Sequence, residues 1–124
     1  MKVLIVEDDE TYKFILDNLL PDFNQEIDLI AAESGEDAIE LVNEHMDSLD
    51  VIVVDLHLSD GPAWKLLDHI SDLKETLNPE LIVLTTSVEI TGKASTKAKN
   101  YDVVREYIPK PISIDLVSKY FVRD

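Results

Sequence analysis

Short apolar runs alternate with amphipathic segments along the whole chain. The runs have the length of a buried β-strand, and the clearest of them, residues 49–54, is rich in β-branched residues with no polar alternation. The segments between the runs carry apolar residues three or four positions apart, which predicts helices with one buried face. The predicted strands cover residues 3–6, 28–32, 49–54, 81–84 and 106–108, and a helix is predicted after each of them.

The predicted helices differ in the strength of their apolar stripes. The fourth predicted helix, over residues 89–100, is weak because it holds few apolar residues. The second predicted helix has a candidate N-cap in Ser34. A turn cluster at residues 59–62 precedes the third helix, with Pro62 near the helix start. The stripe residues are Tyr12, Ile15, Leu16, Leu19 and Leu20 in the first helix, Ala38, Ile39 and Val42 in the second, Ala63, Leu66, Leu67, Ile70 and Leu73 in the third, and Ile114, Val117 and Phe121 in the fifth.

The alternation of five strands with five helices predicts an α/β fold with a parallel sheet that is covered on both faces. Pro109, beside the last predicted strand, suits an edge position because it has no N–H for a ladder. No internal repeat, low-complexity tract or linker interrupts the pattern, so we expect one domain over residues 1–124.

The composition limits the partners, the chemistry and the location that we expect for the protein. The chain holds 26 acidic residues against 11 Lys and Arg, a net charge of −15, which argues against direct binding of nucleic acid through phosphates. There is no cysteine, and hence no disulfide or thiolate chemistry. No apolar stretch reaches the ~20 residues that a membrane helix needs, and the apolar start is too short for a signal peptide. A cytoplasmic protein with no membrane partner is the expectation.

Charged residues stand at the ends of three predicted strands. Glu7 and Asp8 follow the first strand, Asp55 follows the third, and Lys110 follows the fifth. If these strands are parallel, their carboxyl ends share one edge of the sheet, where open α/β sheets bind ligands. Three converging carboxylates repel each other unless a divalent cation joins them, so the sequence predicts a Mg²⁺ site.

Asp55 is the candidate nucleophile in that crevice. A carboxylate can attack phosphorus to form an aspartyl phosphate, a mixed anhydride. Mg²⁺ and the ammonium of Lys110 would offset the charge of the transferring phosphoryl group. Thr85 or Thr86 ends the fourth strand, where a hydroxyl could donate to a phosphoryl oxygen.

Four segments together carry a family resemblance, namely residues 4–9, 53–58, 83–87 and 107–111. In their order and spacing the chain resembles a response-regulator receiver domain of two-component signalling, similar to the chemotaxis receivers. The resemblance covers essentially the whole chain. It implies a flavodoxin-like, doubly wound sheet of five parallel strands in the order 2-1-3-4-5, with five helices.

The resemblance also implies the metal ligands. Asp55 would be the phosphoacceptor, and Glu7, Asp8, Asp55 and the backbone carbonyl of His57 would hold Mg²⁺. Asp9, the neighbouring acid, is excluded from this set.

Other roles follow from the same resemblance. Lys110 matches the phosphate-binding lysine and Thr85 the switch hydroxyl, while Tyr107 matches the aromatic residue that moves with that hydroxyl. His57 and Ser87 occupy positions that tune dephosphorylation.

The implied function is signalling rather than enzymatic turnover. Asp55 would receive phosphoryl from a phosphohistidine on a histidine kinase or a histidine phosphotransfer domain. The protein would catalyse its own phosphorylation and dephosphorylation, and its changed conformation would control a downstream protein or an output domain. No output domain lies within residues 1–124, so the chain would act alone or belong to a longer protein. Homodimerisation through the fourth helix, fifth strand and fifth helix stays open.

The loop after the phosphoacceptor departs from the family pattern. Ser59 stands where the family usually has proline, Ala63 where it has glycine, and Thr86 where it has a smaller residue. We expect an altered phosphoryl lifetime, with its direction open.

Functions of other classes fit less well. A phosphorylation-independent scaffold with the same fold is the alternative, although every phosphotransfer position is filled. The acidic loop over residues 7–10 would repel the phosphate of a flavin, and it lacks the Asp-x-Asp spacing of an aspartate-nucleophile phosphatase. A nucleotide hydrolase would need a Gly-x-x-x-x-Gly-Lys-Ser/Thr motif, which is absent.

Overall fold

The structure is a computed structural model that describes residues 1–11, 13–14, 17–18, 27–45, 47–73, 80–85, 100–109 and 119. At residues 57, 62, 80–85 and 106–109 it describes the backbone alone. The strands among these residues are β1 (Lys2–Val6), β2 (Asp28–Ala32), β3 (Val51–Asp55), β4 (His57–Leu58), β5 (Gly61–Pro62), β6 (Glu80–Thr85) and β7 (Val104–Pro109).

Five of the strands form one parallel sheet in the order β2-β1-β3-β6-β7. With the two short strands set aside, this is the order 2-1-3-4-5 that the family resemblance implies. The reversal of order lies between β1 and β3, the two central strands that end near the acids. Pro109 is the last residue of β7, which is an edge strand as predicted, and proline is tolerated at such a position.

A short antiparallel hairpin replaces the simple turn that the sequence predicts after β3. His57 of β4 pairs with Pro62 of β5, and Leu58 pairs with Gly61. Gly61 has a φ of 117°, in the region that only glycine adopts without strain. The prediction of five strands therefore misses β4 and β5, which are too short to leave an apolar run in the sequence.

Two helices have defined bounds, α1 (Gly35–His45) and α2 (Trp64–Asp72). The predicted N-cap is confirmed, because the Asp37 N–H donates to Ser34 Oγ at 3.1 Å. Helix α2, the third predicted helix, begins at Trp64, so Pro62 lies two residues before it, near the helix start as predicted, and pairs within β5.

The remaining predicted helices are described only in part. Helical conformation occurs at residues 10–11, 13–14 and 17–18, within the first predicted helix, and at residue 119, within the last. The weak fourth helix lies outside the described residues except at residue 100, which is a turn.

The core lies between the sheet and the two defined helices. Leu4, Val6, Ile52 and Val54 point from β1 and β3 toward α1 and α2 and are fully buried. The alternate residues of the same strands are also buried, so both faces of the sheet centre are covered, as the uniformly apolar runs predict. The helical side of this core consists of Ala38, Val42, Ala63, Leu66, Leu67 and Ile70. Within the described part of the chain, no helix has the length and apolarity that a bilayer span requires.

An aromatic contact joins α2 to the residues just before β7. The rings of Trp64 and Tyr101 are stacked, with centroids 6.3 Å apart and planes 4° from parallel. The Tyr101 hydroxyl donates to Asp68 Oδ1 at 2.6 Å. Burial, followed by the Asp68 carboxylate, raises the pKa of Tyr101 to about 12.

Truncation of a core leucine tests the packing of α2. We expect Leu67→Ala to lower the free energy of unfolding by about 2–5 kcal/mol, because Leu67 is completely buried and the cavity would fill only partly. Urea denaturation measures the change. The matched control is Phe14→Ala, since Phe14 is 68 % exposed, and it should change stability by less than about 0.5 kcal/mol. If the two variants lowered the free energy of unfolding equally, the burial of Leu67 in this core would be contradicted.

The raised pKa of Tyr101 predicts a loss of stability in strong alkali. A pKa that is higher in the folded state gives stability below about pH 10 that disappears as the pH rises toward 12. The absorbance difference between the wild type and Tyr101→Phe should show a phenol titrating near pH 12. Asp68→Asn should lower that pKa, and Asp72→Asn on the same helix should not. A phenol that titrates at the same pH in Asp68→Asn as in the wild type would refute the role of Asp68.

Candidate functional site

Strand register brings two of the predicted acids to the same edge of the sheet. Val6 of β1 pairs with Val54 of β3, so Glu7 and Asp55 are the next residues along the two strands. The Glu7 N–H also donates to the Ala32 carbonyl at 3.0 Å, which extends the pairing of β1 with β2 by one residue. The backbone of Glu7 is therefore held against the end of β2.

The carboxylates of Glu7, Asp8 and Asp55 form one cluster. One oxygen from each lies within 4.8 Å of the others. Glu7 and Asp55 are each 1 % exposed, whereas Asp8 is exposed at the rim. The site thus has two acids in its floor and one at its opening to solvent.

The chemistry of these donors fits a hard divalent cation. Three carboxylates this close repel each other, and their burial removes much of the water that would screen them. Their spacing approaches the roughly 3–4 Å between two oxygens bound to one cation at ~2.1 Å. Oxygen-only ligands favour Mg²⁺, Ca²⁺ or Mn²⁺ over Zn²⁺ or copper. The cluster is therefore a candidate site for one of the first three ions.

Asp9 has a different role from the two acids before it. Its Oδ1 accepts the Thr11 N–H at 2.9 Å and its carbonyl accepts the Lys13 N–H at 2.9 Å, as in a helix N-cap. Its own N–H donates to Glu7 Oε1 at 3.0 Å. The Asp9 carboxylate is thus committed to the helix start, and Asp9 lies outside the acidic cluster.

The predicted hydroxyl and lysine belong to the other half of the sheet edge. Thr85 is the last residue of β6 and pairs with Pro109, the last residue of β7. Asp55 pairs with Leu84, so the backbone of Thr85 is one position beyond the phosphoacceptor candidate. Lys110 follows Pro109 and lies outside the described residues.

The other predicted site residues are described less fully. Tyr107 lies in β7, paired with Val83, and His57 opens β4 two residues after Asp55; for both, only the backbone is described. Ser87 and Thr86 lie outside the described residues. The roles assigned to these side chains stay predictions.

Sequence reasoning missed the contact that Asp60, in the loop after Asp55, makes with the start of α1. Its Oδ1 accepts the Gly35 N–H at 3.0 Å and its Oδ2 accepts the Glu36 N–H at 3.2 Å. The Gly35 hydrogen bond is the main reason why the pKa of Asp60 lies below its usual range. The carboxylate thereby caps α1 from a position 25 residues away, and no local sequence pattern announces such a contact.

Two further contacts fix the same region. Ser59 Oγ donates to the Glu33 carbonyl at 3.3 Å. The Lys13 ammonium lies 2.9 Å from Glu33 Oε1 and 3.4 Å from Glu10 Oε1. The hydrogen bond from Lys13 is the main cause that lowers the pKa of Glu33, and the pKa of Lys13 rises for the same reason. The loop after β2 is therefore joined to the helical segment after β1 and to the loop after β3.

Comparison with known proteins places this arrangement in a family. The sequence model of the response regulator receiver domain matches residues 3–121. The chain belongs to the response regulator receiver domain family, the receiver class of two-component signalling.

Individual relatives are distant but cover the chain well. The two-component response regulator ARR2 of Arabidopsis thaliana is 26 % identical over 93 % of this chain, which corresponds to 16 % of the plant protein. A two-component response regulator structure from Legionella pneumophila superposes with a TM-score of 0.81 at 20 % identity, covering 98 % of this chain and 95 % of that one.

A third similar protein is also known as a solved structure. A response regulator structure from Burkholderia pseudomallei, with a phosphorylated aspartic acid, a calcium ion and citrate, has a TM-score of 0.73 at 21 % identity. It covers 97 % of this chain and 65 % of that one. These likenesses confirm the receiver fold. The chain spans less than a fifth of the length of ARR2.

Removal of one carboxylate tests the repulsion in the cluster. We expect Asp8→Asn to raise the free energy of unfolding in metal-free buffer by about 1 kcal/mol, because one charge leaves a group of three. Added Mg²⁺ should stabilise the wild type more than the variant, since binding to the folded state stabilises it. Thermal unfolding with and without Mg²⁺ measures both effects.

The control for Asp8→Asn is Asp47→Asn, which removes the same charge from an exposed residue outside the cluster. It should change stability by less than about 0.5 kcal/mol and leave the response to Mg²⁺ unchanged. A wild type that does not respond to Mg²⁺ would speak against a metal site here.

Proposed function

We propose that Asp55 accepts a phosphoryl group from a phosphohistidine on a histidine kinase or a histidine phosphotransfer domain, in a Mg²⁺-dependent reaction in the cytoplasm. The observation that carries the proposal is the cluster of Glu7, Asp8 and Asp55 at the carboxyl edge of the sheet. Membership of the receiver family supports the same function.

The proposed reaction is a displacement at phosphorus. An Asp55 carboxylate oxygen attacks the phosphorus atom, the nitrogen–phosphorus bond of the donor breaks, and the imidazole leaves with the bonding electrons. Water later attacks the same phosphorus atom, the bond between phosphorus and the Asp55 oxygen breaks, and inorganic phosphate leaves, which restores the carboxylate. The protein thus catalyses its own phosphorylation and dephosphorylation.

Glu7, Asp8, Asp55 and the backbone carbonyl of His57 would hold Mg²⁺. The ion would neutralise the charge that these carboxylates and the incoming phosphoryl group bring together. The spacing of the three acids and the position of His57 two residues beyond Asp55 support this ligand set.

Exposure of the site residues sets the direction of approach. Because Asp55 is buried in the floor and Asp8 is exposed, a donor would approach from the Asp8 side. Burial of Asp55 also limits water near the reacting oxygen. The phosphoryl group would therefore enter between the rim acid and the end of β3.

Lys110 and Thr85 would contact the phosphoryl oxygens from the opposite side. The pairing of Thr85 with Pro109 supports this arrangement, because it brings the ends of β6 and β7 together one residue before Lys110. The Lys110 ammonium would offset charge, and the Thr85 hydroxyl would donate a hydrogen bond. His57 and Ser87 would tune how fast water removes the phosphoryl group.

The output of the reaction would be a conformation. Movement of the Thr85 hydroxyl toward the phosphoryl group would draw Tyr107 inward, one strand away, since β6 and β7 are paired. A downstream protein or an output domain would bind the changed surface. The fourth predicted helix, β7 and the fifth predicted helix would supply that surface or a homodimer interface.

Phosphorylation by a small donor tests the function directly. Incubation with acetyl phosphate and Mg²⁺ should add one phosphoryl group to the intact mass of the wild type. Asp55→Asn should show no adduct, and neither should the wild type after chelation of divalent metal ions. Asp47→Asn, with the same change at a remote surface position, should be phosphorylated normally. A wild type that stays unmodified by a broad set of donors would favour a scaffold role.

A further inference from the structure

Residues 32–36, from the end of β2 to the start of α1, contact both of the loops that carry the predicted metal ligands. At one end, the Ala32 carbonyl accepts the N–H of Glu7 at 3.0 Å. At the other, Gly35 and Glu36 donate their N–H groups to the Asp60 carboxylate. This segment, here called the 32–36 loop, therefore contacts both sides of the site without supplying any of the three clustered acids.

The loop on the far side is itself closed by hydrogen bonds. Residues 56–63 return on themselves through the β4–β5 pair, and the Ala63 N–H donates to the Leu56 carbonyl at 2.9 Å. Asp60 stands at the tip of this closed loop, and His57 stands near its base, two residues after Asp55. A hydrogen-bonded hairpin therefore connects the tip to the residues that follow the phosphoacceptor.

The contacts of Asp60 are suited to hold that tip. A carboxylate that accepts two consecutive backbone N–H groups at a helix start makes charge-assisted hydrogen bonds, and it gains from the helix dipole. Ser59 adds a third contact through the Glu33 carbonyl. A proline at position 59 would restrain the loop by fixing φ through its ring. In this chain the side chains of Ser59 and Asp60 restrain the loop by hydrogen bonds instead.

We infer that Asp60, assisted by Ser59, is a positioning residue for the divalent-cation site and acts through the 32–36 loop. The clustered carboxylates repel each other in the absence of a cation, which favours separation of the loops that carry them. Asp60 opposes that separation, so the ligands are already near their bound positions when the cation arrives. Pre-organisation of this kind raises affinity because less order must be created on binding.

A purely local role in capping α1 is the competing explanation. The helix has its own cap in Ser34, whose Oγ accepts the Asp37 N–H at 3.1 Å. Ser34→Ala therefore weakens the same helix end and leaves the contacts of residues 59 and 60 in place. It is the matched control for Asp60→Ala.

The test is Mg²⁺ affinity, read from the amide NMR shifts of Glu7 and Asp8 during titration. We expect Asp60→Ala to raise the Mg²⁺ dissociation constant about tenfold, as loss of a contact behind a metal site commonly does. Asp60→Asn, which keeps an acceptor oxygen, and Ser59→Ala should each show smaller increases. Ser34→Ala should change the constant by less than about twofold. Equal changes in Asp60→Ala and Ser34→Ala would overturn the inference.

A second measurement separates positioning from general damage. With acetyl phosphate as donor, Asp60→Ala should need more Mg²⁺ for half-maximal phosphorylation, while the rate at saturating Mg²⁺ should return to within about twofold of the wild type. A rate that stays low at saturation would overturn the inference. If Asp60→Ala does not fold, the Mg²⁺ affinities of Asp60→Asn and Ser59→Ala are compared with that of Ser34→Ala instead.

This inference rests on the proposed function, and the two fail differently. A wild type that shows no amide shifts with Mg²⁺ rejects the metal site and the inference with it. A wild type that binds Mg²⁺ and an Asp60→Ala variant that binds it equally well reject the inference alone.

Discussion

Parallel pairing of β1 with β3 forces like charges together. Because Val6 is opposite Val54, Glu7 and Asp55 must leave the sheet side by side, and Asp8 follows within reach of both. Burial of two of these carboxylates costs hydration free energy that their mutual contact does not return. The site is therefore an unfavourable local arrangement, and the surrounding fold has to hold it in place.

The apolar strands provide that support. Both faces of β1 and β3 are buried, and each well-buried aliphatic side chain contributes roughly 1.5–3 kcal/mol. The strands therefore remain paired up to the residue before the acids. Helices α1 and α2 pack on the same core, and the loops that precede them follow β2 and β3. The register that pairs β1 with β3 therefore has two consequences. It buries apolar side chains at the centre of the sheet, and it places carboxylates side by side at the edge.

The parts of this molecule that the sequence predicts are those with a local or periodic cause. The apolar runs predicted strands β1 to β3, β6 and β7, and Ser34 was recognisable as an N-cap because its partner is three residues away. The acids at the ends of β1 and β3 could also be predicted to share one edge of the sheet, because parallel strands have their carboxyl ends on the same side. The strand order itself came from family resemblance, since alternation alone permits several orders.

What the sequence did not predict depends on contacts between distant residues. The β4–β5 hairpin has two residues in each strand, too few for a periodic signal. Asp60 was recognised only as a turn residue, because its partners at Gly35 and Glu36 are far away in the chain. The stacking of Trp64 on Tyr101 is equally long-range, because 37 positions separate the two residues in the chain.

That stacked pair gives the protein a built-in optical label. The chain has one tryptophan, so its indole emission arises from a single ring at the start of α2. The ring faces the phenol of Tyr101, three residues before β7. Displacement of the polypeptide ahead of β7 would change the overlap of the two rings. Intrinsic fluorescence can therefore follow motion at that end of the sheet without an added dye.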